Sequence, residues 1–80
     1  MELKWIKVPG HYKKRQEATQ NGFKFAIERI ARNNRFAYWG TTVSRDRNEY
    51  CGTVVYDRTR DAKRECQSLA DAMAAFGREA

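Results

Sequence analysis

The stretch that most constrains the fold is residues 59–76, TRDAKRECQSLADAMAAF. Ala62, Cys66, Leu69, Ala70, Met73 and Phe76 recur at three- and four-residue steps, which at about 3.6 residues per turn puts them on one side of an α-helix. Arg60, Asp61, Lys63, Arg64, Gln67, Ser68 and Asp71 fill the other side. Thr59 suits the N-cap, because its hydroxyl can accept a hydrogen bond from a first-turn amide that has no partner inside the helix. Asp61 suits the positive end of the helix dipole. Gly77 suits the position just past the end, where a left-handed turn costs glycine little. One amphipathic helix cannot bury its own apolar stripe, so the rest of the chain must supply a surface for it.

That surface reads as strands. Residues 3–8, LKWIKV, are a short strand candidate ended by Pro9-Gly10, a pair that favours a turn and lacks one ladder donor. Residues 11–20 show little periodicity and read as an exposed loop or a ragged edge strand, followed by the turn signal Asn21-Gly22. In residues 23–31, Phe23, Phe25 and Ile27 alternate as in a half-buried strand, while Phe23, Ile27, Ile30 and Ala31 also fit a helix. The flanking Asn21-Gly22 and Asn33-Asn34, typical of hairpin connections, favour the strand. Residues 36–44, FAYWGTTVS, and 50–57, YCGTVVYD, are rich in aromatic and β-branched side chains and flank the polar turn 45–49. The expected fold is α+β: an antiparallel three- to four-stranded meander packed by one C-terminal amphipathic helix. Residues 1–57 are mainly strands and loops, within a single small domain of 80 residues.

Size and composition narrow the function classes. Eighty residues leave too little interior for a large substrate cavity beside a core. No apolar run approaches the roughly 20 residues that span a bilayer, and no secretory leader is evident, so the expectation is a soluble cytoplasmic protein, monomeric or a small homo-oligomer. Cys51 and Cys66 fall on a strand and on the apolar helix side and are expected to be buried thiols, with a disulfide pinning helix to sheet as the alternative. Two cysteines and one histidine are too few for a zinc site. His11 has no evident orienting partner, the carboxylates are scattered among basic residues, and every glycine is isolated. The expectation is a non-enzyme without cofactor or metal.

The charge is informative through its placement. The formal charge is +6, and residues 1–35 carry all of it, nine Lys or Arg against Glu2, Glu17 and Glu28. Such asymmetry is what an electrostatic partner surface produces. The densest basic patch is Tyr12-Lys13-Lys14-Arg15, with Lys4 and Lys7 nearby in sequence, and Arg29, Arg32 and Arg35 form a second cluster at one hairpin end. Alternation sends Tyr38 to the sheet face opposite Trp39, giving an exposed aromatic beside arginine. The candidate partner-binding residues are therefore Lys4, Lys7, Tyr12, Lys13, Lys14, Arg15, Arg29, Arg32, Arg35 and Tyr38.

The ending GTVVYDRTRDAKRECQSLADAMAAF resembles the strand-then-helix ending of double-stranded-RNA-binding domains, over the last third of the chain only. The whole chain is similar in size and layout to compact phage-encoded proteins of the anti-CRISPR type, a likeness without a motif that transfers no functional residues. A sheet-plus-helix layout is also shared with the arm-binding domain of phage-type integrases, which reads DNA with its sheet. The resemblance implies an inhibitor that binds a protein complex handling nucleic acid, such as a Cas effector subunit, and blocks target binding. The alternative is direct DNA or RNA binding by an accessory or regulatory domain.

Overall fold

The computed structural model describes residues 2–10, 14–31, 37–52 and 54–77. Among these residues, five strands, β1 (Ile6–Lys7), β2 (Arg15–Gln20), β3 (Phe23–Ala31), β4 (Ala37–Arg45) and β5 (Asn48–Cys51), precede one helix, α1 (Thr59–Gly77). The strands form a single antiparallel meander in the order β1-β2-β3-β4-β5. The fold is α+β as expected, with one strand more. The addition is β2, whose sequence RQEATQ carries only one buried side chain, Ala18, and so lacks the apolar alternation that marks a strand. Phe23–Ala31 is a strand throughout. Asn21 and Gly22 join Gln20 to its partner Phe23 with φ of 54° and 81°. Two successive positive φ values suit the right-handed twist of a tight hairpin, and Asn-Gly adopts them at least cost.

Register decides which side chains meet the helix. Phe25 stands between Ala18 and Val43, and Ile27 between Gln16 and Thr41, so these rows share one face. α1 lies across β3 and β4 on that face. Its innermost row is Ala62, Cys66 and Ala70, spaced by one helical turn, all buried, with Leu69 and Met73 half-buried alongside. Small side chains on the helix let its axis settle close to the large Phe25 and Ile27. The N-terminal segment seals the side of this core. Leu3 is buried within it, Trp5 packs against it, and the Leu3 amide donates to Gln67 Oε1 at 2.8 Å. Lys63 Nζ sits 5.8 Å from the centre of the Trp5 ring, within cation–π range. Only Ile6–Lys7 of the expected strand 3–8 pairs as a ladder.

Three expectations are corrected. The strand expected over residues 50–57 pairs only as Asn48–Cys51, with a separate bridge from Tyr56 to Trp39. Gly52 donates to the Thr41 carbonyl at 2.8 Å, and Tyr56 then stands opposite Trp39. Thr41 and Trp39 are two positions apart while Gly52 and Tyr56 are four apart, so the pairing is interrupted between them by a bulge. At Gly52 the approach is so close that a Cβ would collide with the Thr41 hydroxyl. Cys51 stands opposite Thr42, on the face away from the helix, and is exposed, whereas Cys66 is fully buried under the helix. The two thiols are free and on opposite sides of the sheet, so no disulfide joins them. Both helix ends also move: the Arg58 carbonyl accepts from Ala62 at 3.2 Å, so Thr59 is the first helical residue and not the cap, and Gly77 is the last helical residue and not the one past the end.

Burial pushes the Cys66 thiol up to about 11, with the neighbouring Glu65 charge adding to it. Native protein should therefore expose one thiol per chain to a disulfide reagent at neutral pH, Cys51, and two only in denaturant; two fast-reacting native thiols would contradict the helix placement. Truncating fully buried Ile27 to Ala should cost on the order of 2–5 kcal/mol. Half-buried Leu69→Ala should cost less, and equal losses in denaturant midpoint would displace Ile27 from the centre of the core.

Candidate functional site

The candidate site grows out of one cross-strand row. Arg29 on β3 stands opposite Trp39 on β4, and Trp39 opposite Tyr56. On the other side, the Arg29 amide donates to the Lys14 carbonyl at 2.9 Å, which continues the β2–β3 register by one residue. Lys14, Arg29, Trp39 and Tyr56 thus line up across the sheet on the helix-side face. In the adjacent row Lys7 stands opposite Gln16, which in turn opposes Ile27, so Lys7 joins the same face. Lys7, Lys14 and Arg29 are all exposed, while Trp39 is half-buried against the core. Lys7, Val8, Pro9, Lys14, Arg15, Gln16 and Trp39 border an open cleft of about 470 Å³.

The acidic residues of the same strands lie elsewhere. Arg15, Glu17 and Glu28 alternate onto the face away from the helix. There the Arg15 guanidinium is held by two carboxylates, Nε to Glu17 Oε2 at 2.7 Å and Nη1 to Glu28 Oε2 at 2.9 Å. Lys24 Nζ approaches Glu17 Oε1 at 3.9 Å. All three members of the Arg15 cluster are largely shielded from solvent. The two faces of the sheet over β1 to β3 therefore carry different electrostatics: a paired network on one side and Lys7, Lys14 and Arg29 on the other.

The expected site residues divide accordingly. Lys7, Lys14 and Arg29 are brought together. Lys4 is exposed but borders a different surface with Ile6, Glu17 and Thr19. Arg15 is a structural tie between β2 and β3. Tyr38 is half-buried on the face away from the helix, opposite Ile30. Tyr12, Lys13, Arg32 and Arg35 lie outside the described residues. The residue missed is Trp39, which forms the aromatic side of the cationic corner. Its parity with Arg29 was hidden because their register depends on a hairpin whose length the sequence leaves open.

Chemically the corner suits anion binding. Lys7 and Lys14 offer compact ammonium charges, Arg29 a planar fork that can grip a carboxylate or phosphate in two places. The Trp39 ring adds an apolar surface beside them. Among the described residues no three His, Cys, Asp or Glu side chains cluster to hold a metal ion, and no helix is long and apolar enough to cross a membrane. No protein-family model, curated protein or solved structure matches this chain.

These placements separate structural from exposed charge. Arg15→Gln should lower stability by about 1–2 kcal/mol, because two partly shielded charge-assisted bonds are lost. Lys14→Gln should change the melting midpoint by much less. A neutral Arg15→Gln in denaturant titration would show the two ion pairs to be dispensable.

Proposed function

We propose that this chain is a small non-enzymatic binding protein, an inhibitor of the anti-CRISPR type. Its cationic corner docks on an acidic surface of a protein complex that handles nucleic acid and obstructs target binding. The observation that supports this reading most is the segregation of charge between the two faces of β1 to β3. Lys7, Lys14 and Arg29 share a face with Trp39, while Glu17 and Glu28 are turned away and neutralised by Arg15. Three exposed cations around an aromatic side chain have the composition of a protein-docking anchor, in which arginine and tryptophan carry a large share of affinity. Electrostatic attraction of this kind speeds encounter and selects acidic partners.

A second reading, direct nucleic-acid binding, draws support from the same juxtaposition. Cations that neutralise phosphates next to a ring that stacks on a base are the two elements of single-strand binding. The footprint separates the readings. Three phosphate contacts give a slope of log affinity against log salt of roughly −2 to −3, depending on strandedness.

The test compares the native sequence with Lys7→Glu/Lys14→Glu/Arg29→Glu. Fluorescence anisotropy with single-stranded and duplex DNA and RNA of about 20 nucleotides is run across a salt series. In parallel, gel-shift assays follow target-DNA binding by purified guide-loaded CRISPR effector complexes. An inhibitor should bind free oligonucleotides poorly, form a stable complex with an effector and reduce its target binding, and the triple reversal should abolish that effect. Tight oligonucleotide binding with the stated salt slope would replace the first reading with the second. Binding that survives the triple reversal, or no binding in any arm, would end both.

A further inference from the structure

The two ends of the sheet differ in how they are protected. At one end β1 is only two residues long, contains Lys7 and is flanked by Lys4 and Pro9. Short length, lysine and proline are the devices that discourage strand addition. At the other end β5 is twice as long, with four exposed residues, neither lysine nor proline, and a single charged side chain, Glu49. The bulge after Gly52 interrupts this edge farther on, leaving Asn48–Cys51 as its regular part. Two large apolar side chains are exposed on or just beyond it, Tyr50 at 68% and Val54 at 57%.

The register also says which main-chain groups are open. Gly52 points its amide inward to Thr41. Alternation along an antiparallel strand then turns the Tyr50 and Asn48 groups inward to β4 and the Glu49 and Cys51 groups outward. We infer that this edge pairs with the β5 edge of a second copy, antiparallel about a two-fold axis at Tyr50, to make a ten-stranded sheet. In this register Glu49 and Cys51 of one chain exchange amide-to-carbonyl bonds with Cys51 and Glu49 of the other, four bonds in all. Tyr50 then meets its counterpart as a non-hydrogen-bonded pair, the closer kind, which aromatic side chains favour. Shifting the register by two residues to centre on Glu49 would set like charges directly opposite, which is unfavourable.

Charge placement favours a second copy as the occupant. The surplus +6 belongs to residues 1–35, and the remainder of the chain is neutral. Joining the β5 ends therefore brings together parts with no net charge and keeps the Lys7–Lys14–Arg29 corners at the outer ends of the sheet. The contact is small, below the roughly 1,000 Å² of a stable interface, so the dimer is weak and concentration-dependent.

Sedimentation of the full chain from about 10 µM to about 1 mM should show a monomer–dimer equilibrium. Cys51→Pro, which removes an outward amide and leaves the β4 ladder intact, should shift it to monomer without loss of the circular dichroism of the fold. The register is read by cross-linking. Tyr50→Cys in a Cys51→Ser background should form a disulfide-linked dimer under mild oxidation, because directly opposed non-hydrogen-bonded residues are within disulfide reach. Native Cys51, offset from its counterpart by two residues, and a control Ser44→Cys/Cys51→Ser on β4 should cross-link at least about tenfold less. A monomer at every concentration, or cross-linking through native Cys51 in preference to position 50, overturns the pairing.

Discussion

The structure depends on how closely one helix approaches one sheet. Ala62, Cys66 and Ala70 present almost no bulk along the innermost line of α1, and Phe25 and Ile27 fill the space from below. Interiors pack at crystal-like density, so volume moved from helix to sheet must be matched on the other side. A larger residue on the helix line would lift the whole element and loosen the contacts of Leu3 and Trp5 that close its flank. The same contact fixes the register of β3. Sliding that strand by one residue would turn Phe25 and Ile27 to solvent and bring Glu28 and Ala26 under the helix.

Fixing that register also fixes the charged surface. Arg29 has the parity of Phe25 and Ile27 and lies two residues beyond Ile27, so it shares their face yet is exposed. Glu28, one residue earlier, is necessarily on the opposite face, where it joins Arg15 and Glu17. The sorting of cations from carboxylates across the hairpin is thus a consequence of core packing, with no separate device required. Lys7 and Arg29 are held on one face by paired strands, and Lys14 by the bond from the Arg29 amide to its carbonyl, which lowers the entropic cost of binding.

The helix was legible because its apolar side chains recur at its own period, β3 because turn signals flank a pattern that by itself also fits a helix, and β4 because it is rich in aromatic and β-branched side chains. β2 was not, since five of its six side chains are polar or charged and its identity as a strand comes from neighbours on both sides. Cys51 looked like a core residue by its placement in a β-rich stretch. Its true face follows from the register with β4, which turns on the two-residue hairpin at Asp46-Arg47, where Asp46 takes a φ of 55°. The charge asymmetry was visible as a total, but a total does not say which face each charge occupies. Arg15 illustrates the difference. In sequence it completes the densest basic run, and in space it is the cation its own hairpin consumes.

The two proposed surfaces lie at opposite ends of the meander, and that separation has a physical consequence. Strands in a sheet are about 4.8 Å apart, so pairing two copies through β5 leaves the cationic corners on β1 to β3 far from the new contact and from each other. Neither corner is covered, and electrostatic repulsion between them is largely screened beyond a distance of about 8–10 Å at physiological salt. A dimer would then be bivalent. For a weak single contact this matters more than any one side chain, because a second corner bound to the same partner acts at a local concentration set by geometry. Weak self-association and weak docking reinforce each other in that arrangement: a partner with two acidic sites at the right spacing stabilises the dimer, and the dimer raises the apparent affinity for that partner. A monomeric protein gains nothing from such spacing, so a dependence of affinity on the distance between two sites on a partner is a property that only the paired sheet can produce.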